Sequence, residues 1–369
     1  MAFFSENETG NMSVTKTTNK APASQDKSAH ILVIRLSAMG DVAMVVPVLQ
    51  TLNATYPELM ITMLTRGFFK PMFQDIPNVS VYEADVNGVH QGVLGLSRLA
   101  KELRDEGIDV VADLHNVLRS NILKSVFFLF GIPVAQIDKG RKEKKALTRE
   151  KDKVFRPLKS THQRYADVFS ALGYPIDLST HHFPKKRQLT ENIKKIVGPD
   201  PEKWLGIAPF AQHNSKAYPP DLMANVLNQL SRNKKIKVLL FGGGKNEKEQ
   251  LDMWEGQFED TISVAGKLSF EEELALISNL DAMVSMDSGN GHLAAIFGIP
   301  VISIWGVTHP YAGFRPFKQP ERNSLLPNLE KYPNIPTSIY GNKYPEGYEN
   351  AIREINPEQI LGKINEVLF

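Results

Sequence analysis

An apolar run, Leu280 to Val284, breaks abruptly into the small polar stretch Ser285-Met286-Asp287-Ser288-Gly289-Asn290-Gly291-His292. Leu293-Ala294-Ala295-Ile296-Phe297 then reads as a helix, stopped by Gly298 and Pro300. A second apolar run follows from Val301 to Trp305. The order strand, turn, helix, strand commits this part of the chain to a parallel sheet with a helical crossover. The turn then lies at the carboxyl edge of the sheet, with free backbone N–H groups and a positive helix end, where anions and phosphates bind. Gly289 and Gly291 remove side chains where a ligand would approach the backbone closely. A strand followed by an ordinary capped helix, with Asp287 or Ser288 as the cap, has the same order. The number of small and polar residues at one junction favours a ligand site.

The same alternation runs through the rest of the chain. His30 to Leu36 reads as a buried strand, Ser37-Ala38-Met39-Gly40-Asp41 as its turn, and Val42 to Thr55 as a helix with Pro47 near its start. Asp41 suits a helix cap and equally a catalytic base facing a cleft. Strands are expected at residues 60–64, 79–82 and 108–114, with an amphipathic helix from Val93 to Glu106 and an apolar one ending at Phe130. Asp113, His115, Asn116 and Arg119 fall at the carboxyl end of a strand. The basic run Lys139 to Lys153 reads as a solvated loop which, as a group, could hold an anionic substrate or meet anionic lipid.

Four prolines between residues 175 and 201 mark a domain boundary near residues 180–195. A second alternating set follows, with strands near residues 204–209, 237–241 and 261–264 and a last helix from Asn356 to Leu368. Residues 1–28, rich in Ser, Thr, Asn and Lys, read as a disordered tail. Residues 29–185 and 186–350 form two α/β domains, and residues 351–369 a terminal helix. Residues 313–355 give only irregular structure, a loop over the cleft.

Composition narrows the chemistry. A net charge of +2 gives no nucleic-acid signal, and the absence of Cys excludes disulfides, thiolate metal sites and a Cys nucleophile. No apolar run is long enough to span a membrane, and no basic-then-apolar signal pattern opens the chain. Gly242-Gly243-Gly244-Lys245-Asn246-Glu247 is not a P-loop, and Ser37 to Asp41 lacks the dinucleotide fingerprint, so a nicotinamide cofactor has no support.

These motifs resemble a known family. Ser37-Ala38-Met39-Gly40-Asp41 after the first strand is similar to the opening motif of the ADP-heptose:lipopolysaccharide heptosyltransferases, glycosyltransferase family 9. Asp287 to Ala295 resembles its D-[ST]-G-x-x-H-L-A-A box. Asn214 to Pro219 resembles its Lys-aromatic-Pro loop, and Gly306-Val307-Thr308-His309-Pro310 its G-P-T-x-P segment, with Val307 in place of the usual Pro. The resemblance spans roughly residues 30–312 and keeps the motif order.

It implies a GT-B fold, two Rossmann-like α/β/α domains with the active site in the cleft between them, and a terminal helix, residues 351–369, that packs back on the first domain. It also implies an inverting, metal-independent transfer of heptose or a related sugar from an ADP-sugar donor to a lipopolysaccharide inner-core acceptor. That acceptor is an anionic glycolipid of the lipid A/Kdo type, so the enzyme would be cytoplasmic and peripheral to the inner membrane. No metal or other cofactor is implied. Asp41 becomes the general base. Lys216, Glu247, Asp287, Ser288, Gly289, Asn290 and His292 become donor-binding residues, with Glu247 on the ribose. Arg119, Lys142, Lys144 and Lys145 are candidate acceptor contacts, each worth roughly 1 kcal/mol near an anionic surface. Two other readings fit the fold. A nucleotide-sugar epimerase would need no acceptor, and a non-catalytic nucleotide-sugar-binding protein would dispense with Asp41.

Overall fold

The computed structural model describes residues 29–199 and 202–369. The expected tail, residues 1–28, lies outside the described residues. The first sheet holds β1 (His30–Ile34), β2 (Met60–Thr65), β3 (Val79–Glu83), β4 (Val110–Asp113) and β5 (Val134–Gln136). The second holds β6 (Lys203–Ala208), β7 (Ile236–Leu240), β8 (Thr261–Ser263), β9 (Ala282–Met286), β10 (Val301–Ile304) and β11 (Ser324–Leu325). The helices of the first half are α1 (Met39–Ala43), α2 (Val46–Thr55), α3 (Gly92–Asp105), α4 (Leu118–Leu129), α5 (Arg141–Leu147) and α6 (Thr161–Ala171). Those of the second are α7 (Glu191–Val197), α8 (Pro220–Leu230), α9 (Lys245–Gln257), α10 (Phe270–Ile277), α11 (Gly289–Ile296) and α12 (Pro357–Leu368).

Every strand pairing is parallel. The central strands β1, β7 and β9 are buried along their whole length, because helices cover both faces of each sheet. The orders are β3-β2-β1-β4-β5 and β11-β10-β9-β6-β7-β8. In each sheet the winding reverses between two central strands, β1 and β4 in one and β6 and β9 in the other. Ligands bind outside the carboxyl ends of such strands. Arg35 to Asp41 and His115 to Asn116 therefore stand at one switch point, and residues 209–216 and 287–292 at the other.

The two switch points meet. Helices α1 and α11 pack N-terminus to N-terminus, and glycines permit it. A Cβ on Gly40 would lie 3.1 Å from His292 Cδ2 and 3.3 Å from Gly289 Cα. A Cβ on Gly289 would lie 2.5 Å from Met39 Cε. The main apolar core runs without a break from Val42 and Leu49 of the first domain to Leu293 and Ile296 of the second. Phe68 stacks on Phe270 at 4.5 Å between ring centres, a second bond between the domains. Leu158 N–H donates to the Tyr311 carbonyl (2.9 Å) and Thr161 N–H to the Gly313 carbonyl (2.8 Å). Arg187 pairs with Asp75 at 2.6 Å.

Three expectations are corrected. The single helix over residues 42–55 is two, α1 and α2, and the first starts at Met39. Pro47 sits in the first turn of α2, where its missing N–H costs nothing but no helix can continue through it from α1. Residues 141–147 of the basic run fold into α5, and only the remainder of the run, to Lys153, is a loop. Helix α12 packs on α8 and β9 of the second domain, not on the first. Its apolar stripe Ile360, Ile364 and Leu368 joins Met223, Val226 and Leu227 of α8 in one core. Arg353 to Asp221 (2.9 Å) and Tyr218 Oη to the Ile355 carbonyl (2.7 Å) hold the approach to α12 on that domain. Residues 313–355 carry single-turn helices and the two-residue edge strand β11, and the turn at Tyr340–Gly341 does reach the cleft.

The Gly40 contact can be tested. Gly→Ala in a helix gains up to about 1 kcal/mol of propensity, which would mask a small clash. Gly40→Val adds bulk that neither His292 nor the Gly289 backbone can yield to. The urea midpoint should fall by an amount equivalent to roughly 1–3 kcal/mol. An unchanged midpoint would mean that the helix ends are not in contact.

Candidate active site

On the second-domain side, β9 ends at Met286 and α11 begins at Gly289 with Ser288 as its N-cap. Ser288 makes no side-chain capping bond; its hydroxyl lies 3.2 Å from Ser285 Oγ instead. The first-turn N–H groups of Gly289 and Asn290 are thus not taken by a side-chain cap, which suits them to an anion. Asp287 does not cap either. Its Oδ2 accepts from Thr308 Oγ1 (2.8 Å) and from Lys216 Nζ (3.1 Å), and its carbonyl accepts a second Lys216 bond (2.8 Å). The ammonium has three donors, so one remains for a ligand.

The Lys216 loop is locked from behind. A Cβ on Gly306 would fall 1.8 Å from the Ser215 carbonyl oxygen, and one on Gly341 would fall 2.6 Å from Lys216 Cγ. Ser215 Oγ donates to the Gly341 carbonyl. His292 is buried, and its Nδ1 has no hydrogen-bond partner among the described residues. Burial lowers its pKa, with Asp287 and Asp41 pulling the other way, so the ring is neutral at physiological pH. Glu247 stands in the first turn of α9, the helix that follows β7, and β7 neighbours the β6 strand that leads to Lys216. Its Oε2 accepts from Gly243 N–H (2.8 Å), which holds the glycine turn in place.

On the first-domain side, Asp41 occupies the first turn of α1. Arg35 Nη2 reaches Asp41 Oδ2 at 2.5 Å, and Ala38 N–H approaches the same oxygen at 3.4 Å. Both contacts fall on Oδ2 and leave the other carboxylate oxygen for a proton. Arg35 is buried and anchored by a bond to the Leu114 carbonyl (2.8 Å), with Tyr165 beneath it. Tyr165 is fully buried, its phenol pushed up by burial, and its hydroxyl donates to the Asp41 carbonyl (3.3 Å). His115 is pushed down to about 3 by burial and by the charges of Arg35, Lys139, Arg119 and Arg66. It is neutral and accepts from Leu36 N–H (3.4 Å). Asp113 is a structural residue: its carboxylate accepts from His115 N–H (2.8 Å), Asn116 N–H (3.0 Å) and Gln136 Nε2 (2.7 Å).

Asp41 opens into a cavity of 150 Å³ that both domains line. Arg35, Lys139, Arg141, Lys144 and Arg164 surround its single carboxylate, and Phe314 and Tyr340 close it from the second domain. Burial, and then the Arg164 charge, push Lys144 down to about 8. Lys139 is lowered too, by burial and then by Arg35 and Arg141. Arg164 is partly spent on Glu143, 2.7 Å away. The remaining excess of cations around one acid makes this a site for an anion.

Of the residues singled out in sequence, the structure brings Asp41, Gly289 and His292 to one contact and Lys216, Asp287 and Ser288 to the adjoining strand ends. Asn290 lies in the first turn of α11. Lys144 lines the cavity, whereas Lys142 and Lys145 are exposed and Arg119 stands outside it on α4. For Lys142 the difference is helical phase: positions 141 and 144 share a face of α5, and 142 turns away from it. Arg35 and Thr308 escaped the sequence reading as site residues, and Lys139 and Arg141 entered it only as members of the basic run. Arg35 had a signal, a charge at the end of an otherwise apolar strand.

The chain matches the family model Glycosyltransferase family 9 (heptosyltransferase) over residues 96–342. It is 26% identical to lipooligosaccharide heptosyltransferase 2 of Haemophilus influenzae over 92% of this chain and 99% of that one. It is 25% identical to lipopolysaccharide heptosyltransferase 2 of Salmonella typhimurium, over 92% and 98%. Among solved structures, a glycosyl transferase family 9 protein from Veillonella parvula superposes with a TM-score of 0.70 at 20% identity, covering 92% of this chain and 97% of that one. The E. coli heptosyltransferase WaaC, solved with ADP, gives 0.62 at 16% identity, over 92% and 99%. Both are GT-B-type likenesses that agree with two Rossmann-like domains. With its family model covering most of the chain, this protein belongs to glycosyltransferase family 9 and is a glycosyltransferase.

Proposed function

We propose that this enzyme transfers a heptose from an ADP-heptose donor to an anionic lipopolysaccharide inner-core acceptor, with inversion at the anomeric carbon. The observation that carries the reading is the abutment of the Asp41 turn and the Asp287–His292 box across Gly40 and Gly289. A base and a diphosphate cradle face one another there. The relatives are heptosyltransferases by name, and one structural neighbour is described with ADP.

In this reading the donor diphosphate lies on the α11 N-terminus. Lys216 and the N–H groups around Gly289 and Asn290 neutralise it, Thr308 and Asp287 aim the lysine, and neutral His292 offers its free nitrogen. Glu247 takes the ribose hydroxyls. The acceptor's anionic groups enter the cation-lined cavity, and its hydroxyl loses a proton to Asp41. The acceptor oxygen bonds to the anomeric carbon as the bond to the diphosphate oxygen breaks. None of these steps calls for a metal. An epimerase would have no use for a five-cation cavity beside the base.

Asp41→Asn should lower the rate of transfer from ADP-heptose to a de-acylated core acceptor by about 10²–10⁴-fold, with ADP affinity unchanged. Transfer at the parent rate would remove Asp41 as the base. The acceptor side carries a pH signature. A charged Lys144 binds the anion, and that charge is lost as pH rises through about 8. The acceptor KM should therefore climb above that pH, and Lys144→Arg, charged throughout, should flatten the climb. A flat KM in the parent enzyme would place the acceptor elsewhere.

A further inference from the structure

The outer face of α4 has the wrong polarity for a helix against water. Leu123 and Phe127 face the core, so Leu118 and Leu129 lie on the outer side, while Ile122 is half-buried against that core. Leu118 is 77% and Leu129 80% exposed. Neighbouring α3 opens with Leu94, 87% exposed, beside Val93 at 62%. The two helices pack together, and both follow strands of a parallel sheet. Their N-termini therefore stand at the edge that carries Asp41. Leu118 comes two residues after Asn116, whose backbone turns at φ 46° beside the cavity.

The exposed charges along the half of this strip nearest the Asp41 edge have one sign, and the acids Asp105 and Glu106 come only at its far end, beside Phe130. Arg98 and Lys101 on α3 and Arg119 on α4 are exposed, α4 contains no acidic residue, and the first on α3 is Glu102. Glu102 is engaged by Tyr82 Oη at 2.8 Å. A partner must be apolar and anionic over the same strip, about 16 Å long. A second copy laid on the basic half, where Leu94 and Leu118 stand, would set cations against cations. The headgroup layer of an anionic bilayer meets both demands, since apolar tips enter it and Lys and Arg meet its phosphates.

We propose that the outer face of α3 and α4 is a membrane-docking surface that seats the first domain on an anionic bilayer through Leu94, Leu118 and Leu129. The inference rests on the acceptor reading above, for it brings the Asp41 cavity to a lipid-borne acceptor. It also reassigns the lipid contact expected of the basic run, whose Arg141 and Lys144 face the cavity instead.

The test is co-sedimentation of the full chain with vesicles of phosphatidylcholine mixed with phosphatidylglycerol, and with phosphatidylcholine alone. The protein should bind the mixed vesicles, at least about tenfold more weakly without the anionic lipid, and more weakly as salt rises. The triple variant Leu94→Ser, Leu118→Ser, Leu129→Ser should lose at least about tenfold in vesicle affinity. Its melting temperature and its transfer rate to a soluble, de-acylated acceptor should be unchanged. Equal vesicle binding by variant and parent, or none by the parent, would overturn the proposal. So would a parent dimer that the variant disperses without any vesicle binding. Variant-sensitive vesicle binding by a parent that transfers no heptose would keep the docking face and overturn the reaction assigned above.

Discussion

The close approach of α1 and α11 governs the rest of the molecule. Two helix N-termini, each with roughly half a positive charge, are held against one another by a Gly40–Gly289 contact that leaves little room for a side chain. Left alone, that arrangement is electrostatically unfavourable. The apolar core running beneath it, from α2 to α11, supplies the opposing force. Asp41 in the first turn of α1 offsets part of the positive field, and an anionic ligand at α11 would offset the rest. Packing thus fixes in advance where negative charge is welcome, which is the economy of a preorganised site.

The charged side chains around this contact hold one another in place. Arg35 grips Asp41 from a buried anchor on the Leu114 carbonyl, and Asp287 with Thr308 grips Lys216. Neither pair consumes its functional group. Asp41 keeps an oxygen and Lys216 keeps a donor. The neutral histidines His115 and His292 fill the space between these charges without adding to the positive excess. Burial keeps both neutral, helped by surrounding cations at His115 and opposed by Asp287 and Asp41 at His292.

Much of this was legible in the chain. The unbroken apolar runs at His30–Leu36 and Leu280–Val284 announce strands buried on both faces, and the polar turns after them announce the switch points. Asp41 and Asp287 sit in polar turns that follow apolar strands, so the local pattern could mark them, whereas Lys216 was marked only by the resemblance of its loop to the family motif. What stayed hidden depends on phase or on distance. Arg141 and Lys144 enter the cavity while Lys142 turns away, and this could be seen only once the basic run was known to be helical. Thr308 meets Asp287 across two adjacent strands, 21 residues apart in sequence. The path of α12 was misjudged because an amphipathic stripe does not name its partner. Ile360, Ile364 and Leu368 fit α8, and the Arg353–Asp221 pair draws the chain there.

The central claim is a donor site built on the α11 N-terminus with Lys216 as its cation. Calorimetric titration of the protein with ADP, UDP, GDP and CDP tests it most directly. Selective binding of ADP, lost in Lys216→Ala and kept in Asp41→Asn, is the expected result. Binding of no nucleoside diphosphate, or ADP binding indifferent to Lys216, would contradict it.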